Sequence, residues 1–404
     1  MAPARHVIVA GAGIAGLTAA LTLARAGMRV TVFEQAAKLE ETGAGLQLSP
    51  NASRVLIALG LRERLASVAV TPQAIRVMAG GSAREIARIP LGDEMERRYG
   101  APYWSLHRGD LQSALAEAVR SELDIRLELG VRLEEFAAHV NGVTVLGRRG
   151  MQVVDDRGIA LIGADGIWST VATRLRRPEP IFRHRTAWRA LVPADAVPAE
   201  FRQPLVQLWL GHEAHLVHYP VKAGTLINIV GIVHDAWNEK GWSAAGDRTE
   251  ILRHFSRLTW SDKARALISI PDRWLKWALY DRKDPFRSAK LPVTLIGDAA
   301  HPMLPFLAQG AGMAIEDAAV IADMLDKYLD DPSDALRAYE GARWHRTGRA
   351  QQSSRRQGRI YGLTGPEALA RNFAMRAMGG ERLRARYDWL YSWHPPERYE
   401  SQSA

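Results

Sequence analysis

Cysteine is absent from this 404-residue chain, which excludes disulfide staples, thiolate-ligated zinc and thiol nucleophiles. Long apolar runs are missing as well. Nowhere do about 18 apolar residues follow one another, the length that crosses a bilayer, so no membrane partner is expected. There is no internal repeat and no low-complexity tract, which excludes repeat architectures. A β-branched run starts at Arg5, leaving no room for a signal peptide, and the expected location is cytoplasmic. Against these absences, 47% hydrophobic and 24% charged residues are the ordinary make-up of a globular protein. The length suits two domains, or one α/β domain with an inserted sheet.

Charge is unbalanced, with 53 basic residues against 44 acidic ones and a formal +9. Much of the excess falls on one predicted helix carrying Arg337, Arg343, Arg346, Arg349, Arg355, Arg356 and Arg359. No nucleic-acid-binding module or interleaved aromatic stripe accompanies them. The expectation is a solvated helical face, no nucleic-acid partner, and a positive field that draws in small anions.

Three glycine-acid segments stand far apart in the chain. They are Gly11-Ala-Gly13-Ile-Ala15-Gly16 with Glu34, then Gly163-Ala-Asp165-Gly166, then Gly297-Asp298 running into Gln309-Gly310-Ala311-Gly312. The first follows the short strand pattern Arg5-His-Val-Ile-Val9 and opens an alanine- and leucine-rich helix pattern over 14–26. Gly11 allows the turn, Gly13 lets backbone approach a pyrophosphate, and Gly16 lets the helix pack on the strand. The amides at the helix start then face phosphate charge. A second strand pattern ends at Glu34 and Gln35; the acid accepts both ribose hydroxyls and repels a 2′-phosphate.

Asp165-Gly166 follows a buried strand pattern, Ile159-Ala-Leu-Ile-Gly163, although Asp-Gly alone marks a turn. Asp298 ends the strand pattern Pro292-Val-Thr-Leu-Ile296, where it can hold a ribityl hydroxyl. Gly310 and Gly312 open a helix predicted to run to 329, whose amides can face an anionic ring edge. Together the segments describe one long cofactor, most economically FAD. The flavin disulfide reductases share the phosphate loop but need a cysteine pair, and this chain has none. Between 180 and 284 the texture is β-rich alternation, with Val206–Leu210, His215–Tyr219 and Leu226–Val233 read as antiparallel strands.

These segments, in this order, resemble the single-component FAD-dependent aromatic hydroxylases of the p-hydroxybenzoate hydroxylase fold. Within that family the chain is most similar to the salicylate, 3-hydroxybenzoate and 6-hydroxynicotinate hydroxylases. Matching text includes Gly43-Ala-Gly45-Leu-Gln47, His107-Arg108-Gly-Asp110, Trp188-Arg189-Ala, and Gly297-Asp-Ala-Ala-His301-Pro through Ala308-Gln309-Gly310 to Asp317. The family's usual glycine before that last Gln-Gly is Ala308 here, and a histidine found near position 47 in the hydroxynicotinate enzymes is Gln47. The resemblance implies a Rossmann-like α/β FAD-binding domain (1–72, 101–179, 285–364) interrupted by a β-sheet substrate domain (73–100, 180–284). A helical C-terminal tail (365–404) follows, as a lid or a brace. It also implies roles: Glu34 for the adenosine ribose, Arg108 for the phosphate side, Asp165 for a contact that tolerates NAD(P)H, and Asp298 for the ribityl chain. Gly45 is placed with this cofactor set.

The implied chemistry is hydroxylation of a phenolic or hydroxypyridine-type carboxylate with NADH and O2 through a flavin C4a-hydroperoxide, NADPH being the less favoured donor. Strand periodicity puts His215, Val217 and Tyr219 on one face. The family pattern makes His215 the base and Tyr219 the holder of a ring hydroxyl or carboxylate. His301 is a further catalytic candidate, or else a loop-holding residue. Gln47, Arg189 and Pro305 are candidate substrate contacts. Alternatives are an epoxidase or hydroxylase of a non-carboxylated natural product on this scaffold, and a non-catalytic dinucleotide-binding sensor. A flavin halogenase lacks support because Trp188 stands without a paired tryptophan. The protein is expected to be a monomer or homodimer without a bound metal.

Overall fold

In a computed structural model of the chain, residues 5–39, 44–241, 243–287, 291–328 and 330–399 are described. Gly43 of the glycine motif, the last residue of the helix predicted to end at 329, and the last residues of the tail lie outside them. The apolar run around Ile8 becomes the centre of a five-stranded sheet. Its order is Val293–Leu295, Ala160–Gly163, His6–Ala10, Arg29–Glu34 and Ile125–Leu129, with every pair parallel. Such strands have no polar alternation because both faces are covered. Val7 and Val9 pack under the helices Ile14–Arg25 and Gly310–Lys327. Ile8 and Ala10 face a small antiparallel sheet through Val143 and Val145.

A second sheet has eight strands, in the order Ala244–Gly246, Trp274–Asp281, Ile181–Pro193, Leu226–His234, Ala214–Val221, Leu205–Leu210, Ala74–Ala79 and Glu85–Pro90. Its alternation sorts two faces. Trp209, Leu216 and Ile229 bury themselves against Ile251 and Leu267 of two short helices and against Phe255, which follows the first of them. The opposite face, with His215, Val217 and Tyr219, is turned to a cavity. The element types match the α/β expectation, with a Rossmann-like layer, a separate sheet and a helical C-terminal region.

The arginine-rich helix, Pro332–Tyr361, keeps Arg337, Arg349, Arg356 and Arg359 exposed as expected but turns other arginines inward. Arg343 is buried and spans Glu316 and Asp317, both at 2.7 Å. Arg346 meets Glu316 at 2.6 Å, and Arg355 meets Asp281 at 2.6 Å. Arg346 and Arg349 also lie over Trp389. Arginine spacing alone does not disclose that acids and indoles from distant segments sit opposite. Beyond it, the tail helix Gly365–Ala385 packs across the Glu85–Pro90 strand, and Met375, Met378 and Leu383 join a core with Val77 and Leu208. Among the described residues, no helix is long and apolar enough to cross a membrane.

Candidate active site

The turn after the first strand is built around two glycines. Gly11 has φ +101°, and a Cβ there would stand 2.6 Å from the Ala164 carbonyl oxygen. A Cβ on Gly16 would fall 1.8 Å from the Gly11 oxygen, so the helix can sit this close only without side chains. Glu34 closes the same corner, Oε2 accepting from the Ala12 amide at 2.7 Å and Oε1 from the Ala36 amide at 2.8 Å. Each oxygen keeps a further lone pair for a hydroxyl.

One cavity of about 970 Å³ runs from this corner to the eight-stranded sheet, at the upper end of the roughly 300–1,000 Å³ of ligand sites. Gly11, Gly13, Ala15, Glu34 and Gln35 line one end, and Gly45, Arg108, Asp165, Asp298, Gly310 and Ala311 follow along it. Gly16, Gly297 and Gly312 are not in the lining. They set the backbone behind it, with the Gly297 amide donating to Asp317 at 2.9 Å.

The chemistry of this lining fits FAD. Two helices, Ile14–Arg25 and Gly310–Lys327, begin at the cavity with no side-chain cap on their first amides, leaving donors for phosphate and for a ring edge. Asp165 Oδ2 accepts from the Val171 amide at 3.1 Å, whereas its buried Oδ1 has no partner among the described residues. Burial raises the Asp165 carboxyl above its usual range, so a hydroxyl donor at Oδ1 would offset the desolvation. Asp298 projects into the cavity. The dense surround raises its carboxyl while Arg108 and His301 oppose the rise. Desolvation in turn lowers Arg108, and Asp298 opposes it.

At the other end the sheet supplies the floor. Directly opposed residues share a face, so the registers define rows across the strands. One row is Arg189, Val230, Val217, Leu208 and Val77. His215 flanks it beside Ile232, and Tyr219 flanks it beside Asn228. By strand geometry the Cα atoms of His215 and Tyr219 stand about 13 Å apart, and Arg189 lies two strand spacings, about 10 Å, from Val217. The result is an apolar patch, Val217 and Val230, with a polar side chain at each of three corners.

Each corner has a defined state. Burial, helped by Arg185, pushes the His215 imidazole down to about 3, so it is neutral at pH 7. Its ring packs 5.3 Å from both Phe306 and Tyr361. Burial pushes the Tyr219 phenol up to about 12, opposed by Arg189 and by a hydrogen bond with Gln47. The Gln47 Oε1 accepts from the Tyr103 hydroxyl at 2.7 Å, which turns its amide nitrogen toward Tyr219 and leaves the Tyr219 O–H free to donate. Arg189 stacks over the Trp277 ring at 5.2 Å. Among the described residues no carboxylate pairs with it, and desolvation lowers its pKa.

Pro305 also lines this end. His301 does not. It is buried with Nε2 2.5 Å from Asp317 Oδ2, behind the loop that carries Asp298. Of the two roles open to it, the geometry is that of loop holding, because the Asp317 carboxylate draws the ring inward. Ala308 occupies the left-handed region at φ +52°, where the family's glycine would sit without cost. Sequence reasoning does not reach Tyr103, Asn228, Tyr361 or the tail residues Met375 and Met378, all near or in the lining. Tyr103 had a usable signal, standing four residues before His107-Arg108. The two methionines had none, since their apolar face is legible only against the sheet that it covers.

Comparison with known proteins shows what the chain is similar to. The description "FAD binding domain" matches residues 4–354. The 3-hydroxybenzoate 6-hydroxylase of Polaromonas naphthalenivorans (strain CJ2) is 35% identical over 388 residues, 96% of each chain. The 3-amino-4-hydroxybenzoate 2-monooxygenase of Streptomyces cremeus is 37% identical over 389 residues, 96% of this chain and 94% of that one. Among solved structures, a salicylate hydroxylase substrate complex superposes with a TM-score of 0.80 at 25% identity, covering 99% of both chains.

Proposed function

The chain belongs to this FAD-binding-domain family and is a flavoprotein monooxygenase, and from that premise we propose that it hydroxylates an aromatic carboxylate bearing a ring hydroxyl, with NADH as electron donor and O2 as oxygen source. When bound, FAD supplies the redox chemistry, taking hydride from reduced nicotinamide and activating O2 for transfer of one oxygen atom to the ring. Gly11, Gly13, Ala15, Glu34, Arg108, Asp165, Asp298 and the amides at Gly310 and Ala311 are the groups that would hold it.

The protein's own part is to bind, orient and deprotonate the ring. Arg189 is the carboxylate partner, Val217 and Val230 form the floor, and Tyr219 donates to an anionic oxygen. His215 accepts the phenol proton. A phenol with pKa near 10 is about one part in a thousand ionised at pH 7, so the base must supply roughly 4 kcal/mol. Burial alone leaves this neutral imidazole a weak base, and the phenolate that forms beside it raises its proton affinity by stabilising the resulting cation. Val230, Ile232, Leu304 and Phe306 keep this end dry, which strengthens each of these charge interactions.

The single observation carrying the reading is Arg189: a half-buried, desolvated guanidinium with no carboxylate partner among the described residues, in one cavity with His215. It is tested on the yellow holoenzyme with 3-hydroxybenzoate, salicylate and 3-amino-4-hydroxybenzoate, following NADH oxidation, hydroxylated product and hydrogen peroxide separately. Arg189→Met should raise KM for the carboxylate about 30-fold, the value of a lost charge-assisted pair, with little change in kcat. His215→Ala should lower kcat at least 100-fold at pH 7 and recover in part at high pH, where the phenol ionises unaided. Unchanged KM in the first variant, together with turnover of the matching carboxamides, would refute the carboxylate assignment.

A further inference from the structure

The floor of the cavity is longer than a benzoate needs. From Arg189 to Val77 the row crosses four strand spacings, about 19 Å, and the polar corners occupy only its Arg189 half. On the far side of the His215 strand the cavity is lined by Leu208, Ile75 and Ile89 below and by Met375 and Met378 of the tail helix above. These side chains offer methyls and thioethers, with Tyr361 packed at the edge of the same cluster and the Met378 sulfur 3.9 Å from Arg386 Nη1. Two methionines facing one space form an adaptable apolar wall.

We propose that this annex binds an apolar substituent of the substrate. The favoured substrate is then an aromatic acid carrying an alkyl or similarly apolar chain at the ring edge opposite its carboxylate, rather than a bare hydroxybenzoate. The inference rests on the reading above in one respect: Arg189 fixes which ring edge faces the annex. The direction follows from the strand order, since Arg189 lies on one side of the Ala214–Val221 strand and the annex lies on the other.

The test is a series of 3-hydroxybenzoates, unsubstituted or carrying methyl, propyl or pentyl at ring carbon 4 or 5. Binding is read from the change in flavin absorbance on titration, and turnover from product formation. Each methylene entering the annex should tighten Kd about fourfold, so propyl should bind at least tenfold more tightly than methyl at one of the two positions. Ile89→Phe from the floor and Met378→Phe from the roof each fill the annex, and either should cut the pentyl-to-parent ratio of kcat/KM at least tenfold. If 3-hydroxybenzoate itself binds and is hydroxylated while every alkyl chain weakens binding, the annex proposal is overturned and the hydroxylase reading stands. If no member of the series perturbs the flavin or is hydroxylated, both fall.

Discussion

Replacing Asp317 with Asn tests how a buried ion cluster reaches the cofactor end of the cavity. Asp317 is fully buried and accepts three bonds: from the Gly297 amide at 2.9 Å, from His301 Nε2 at 2.5 Å and from Arg343 Nε at 2.7 Å. Burial alone would raise its carboxyl, but His301 and Arg343 outweigh burial and hold it down to about 2. Asparagine keeps one acceptor and introduces an N–H₂ that must face a donor, while Arg343 is left with Glu316 as its acid partner. Breaking a buried charge network in this way costs about 3–5 kcal/mol. Over 404 residues, at about 2.1 cal/mol/K of unfolding entropy per residue, the loss lowers Tm by about 5 °C. The same change releases the Gly297 amide, which anchors the loop bearing Asp298. Flavin binding, read by fluorescence quenching of titrated FAD, should weaken at least tenfold. A variant that keeps both its Tm and its FAD affinity would refute the view that this cluster supports the Asp298 loop.

Two further outcomes follow from other parts of the molecule. His218 is fully buried near the Phe201 and Trp209 rings with no partner for either ring nitrogen among the described residues, and burial pushes it down to about 3. The unfolded chain, with a pKa near 6.5, then binds more protons between about pH 6.5 and 3, so stability is intact above that window and is lost as pH falls through it. At pH 5 the loss is about 2 kcal/mol from this group. His218→Leu should remove that share of the difference between urea unfolding at pH 7.5 and 5.0, and an identical slope in both proteins would show that His218 titrates normally. Gly16→Ala forces a methyl to within 1.8 Å of the Gly11 oxygen, so the variant should purify colourless or not at all; a fully yellow Gly16→Ala protein would contradict this packing.

Much of this protein is legible from local chemistry alone. Gly11 and Gly16 can be read because a tight turn and a close helix tolerate no side chain, and Glu34 because a strand-ending acid is a short-range feature. The parallel and alternating strand patterns likewise follow from burial on two faces or one, which is written residue by residue. The same rule correctly puts His215, Val217 and Tyr219 on a shared face of one strand. What lies outside local reach is every relation between strands and segments. Only the register sets Arg189 two strands from Val217. Only the folded chain turns Arg343 and Arg346 inward to Glu316 and Asp317, and draws His301 away from the cavity. The roof of Met375 and Met378 has the same origin, because a helix far along the chain acquires meaning from the sheet edge on which it packs. Pattern within a segment is fixed by backbone sterics and solvent, whereas the meeting of distant segments is decided by how their buried surfaces and charges satisfy one another.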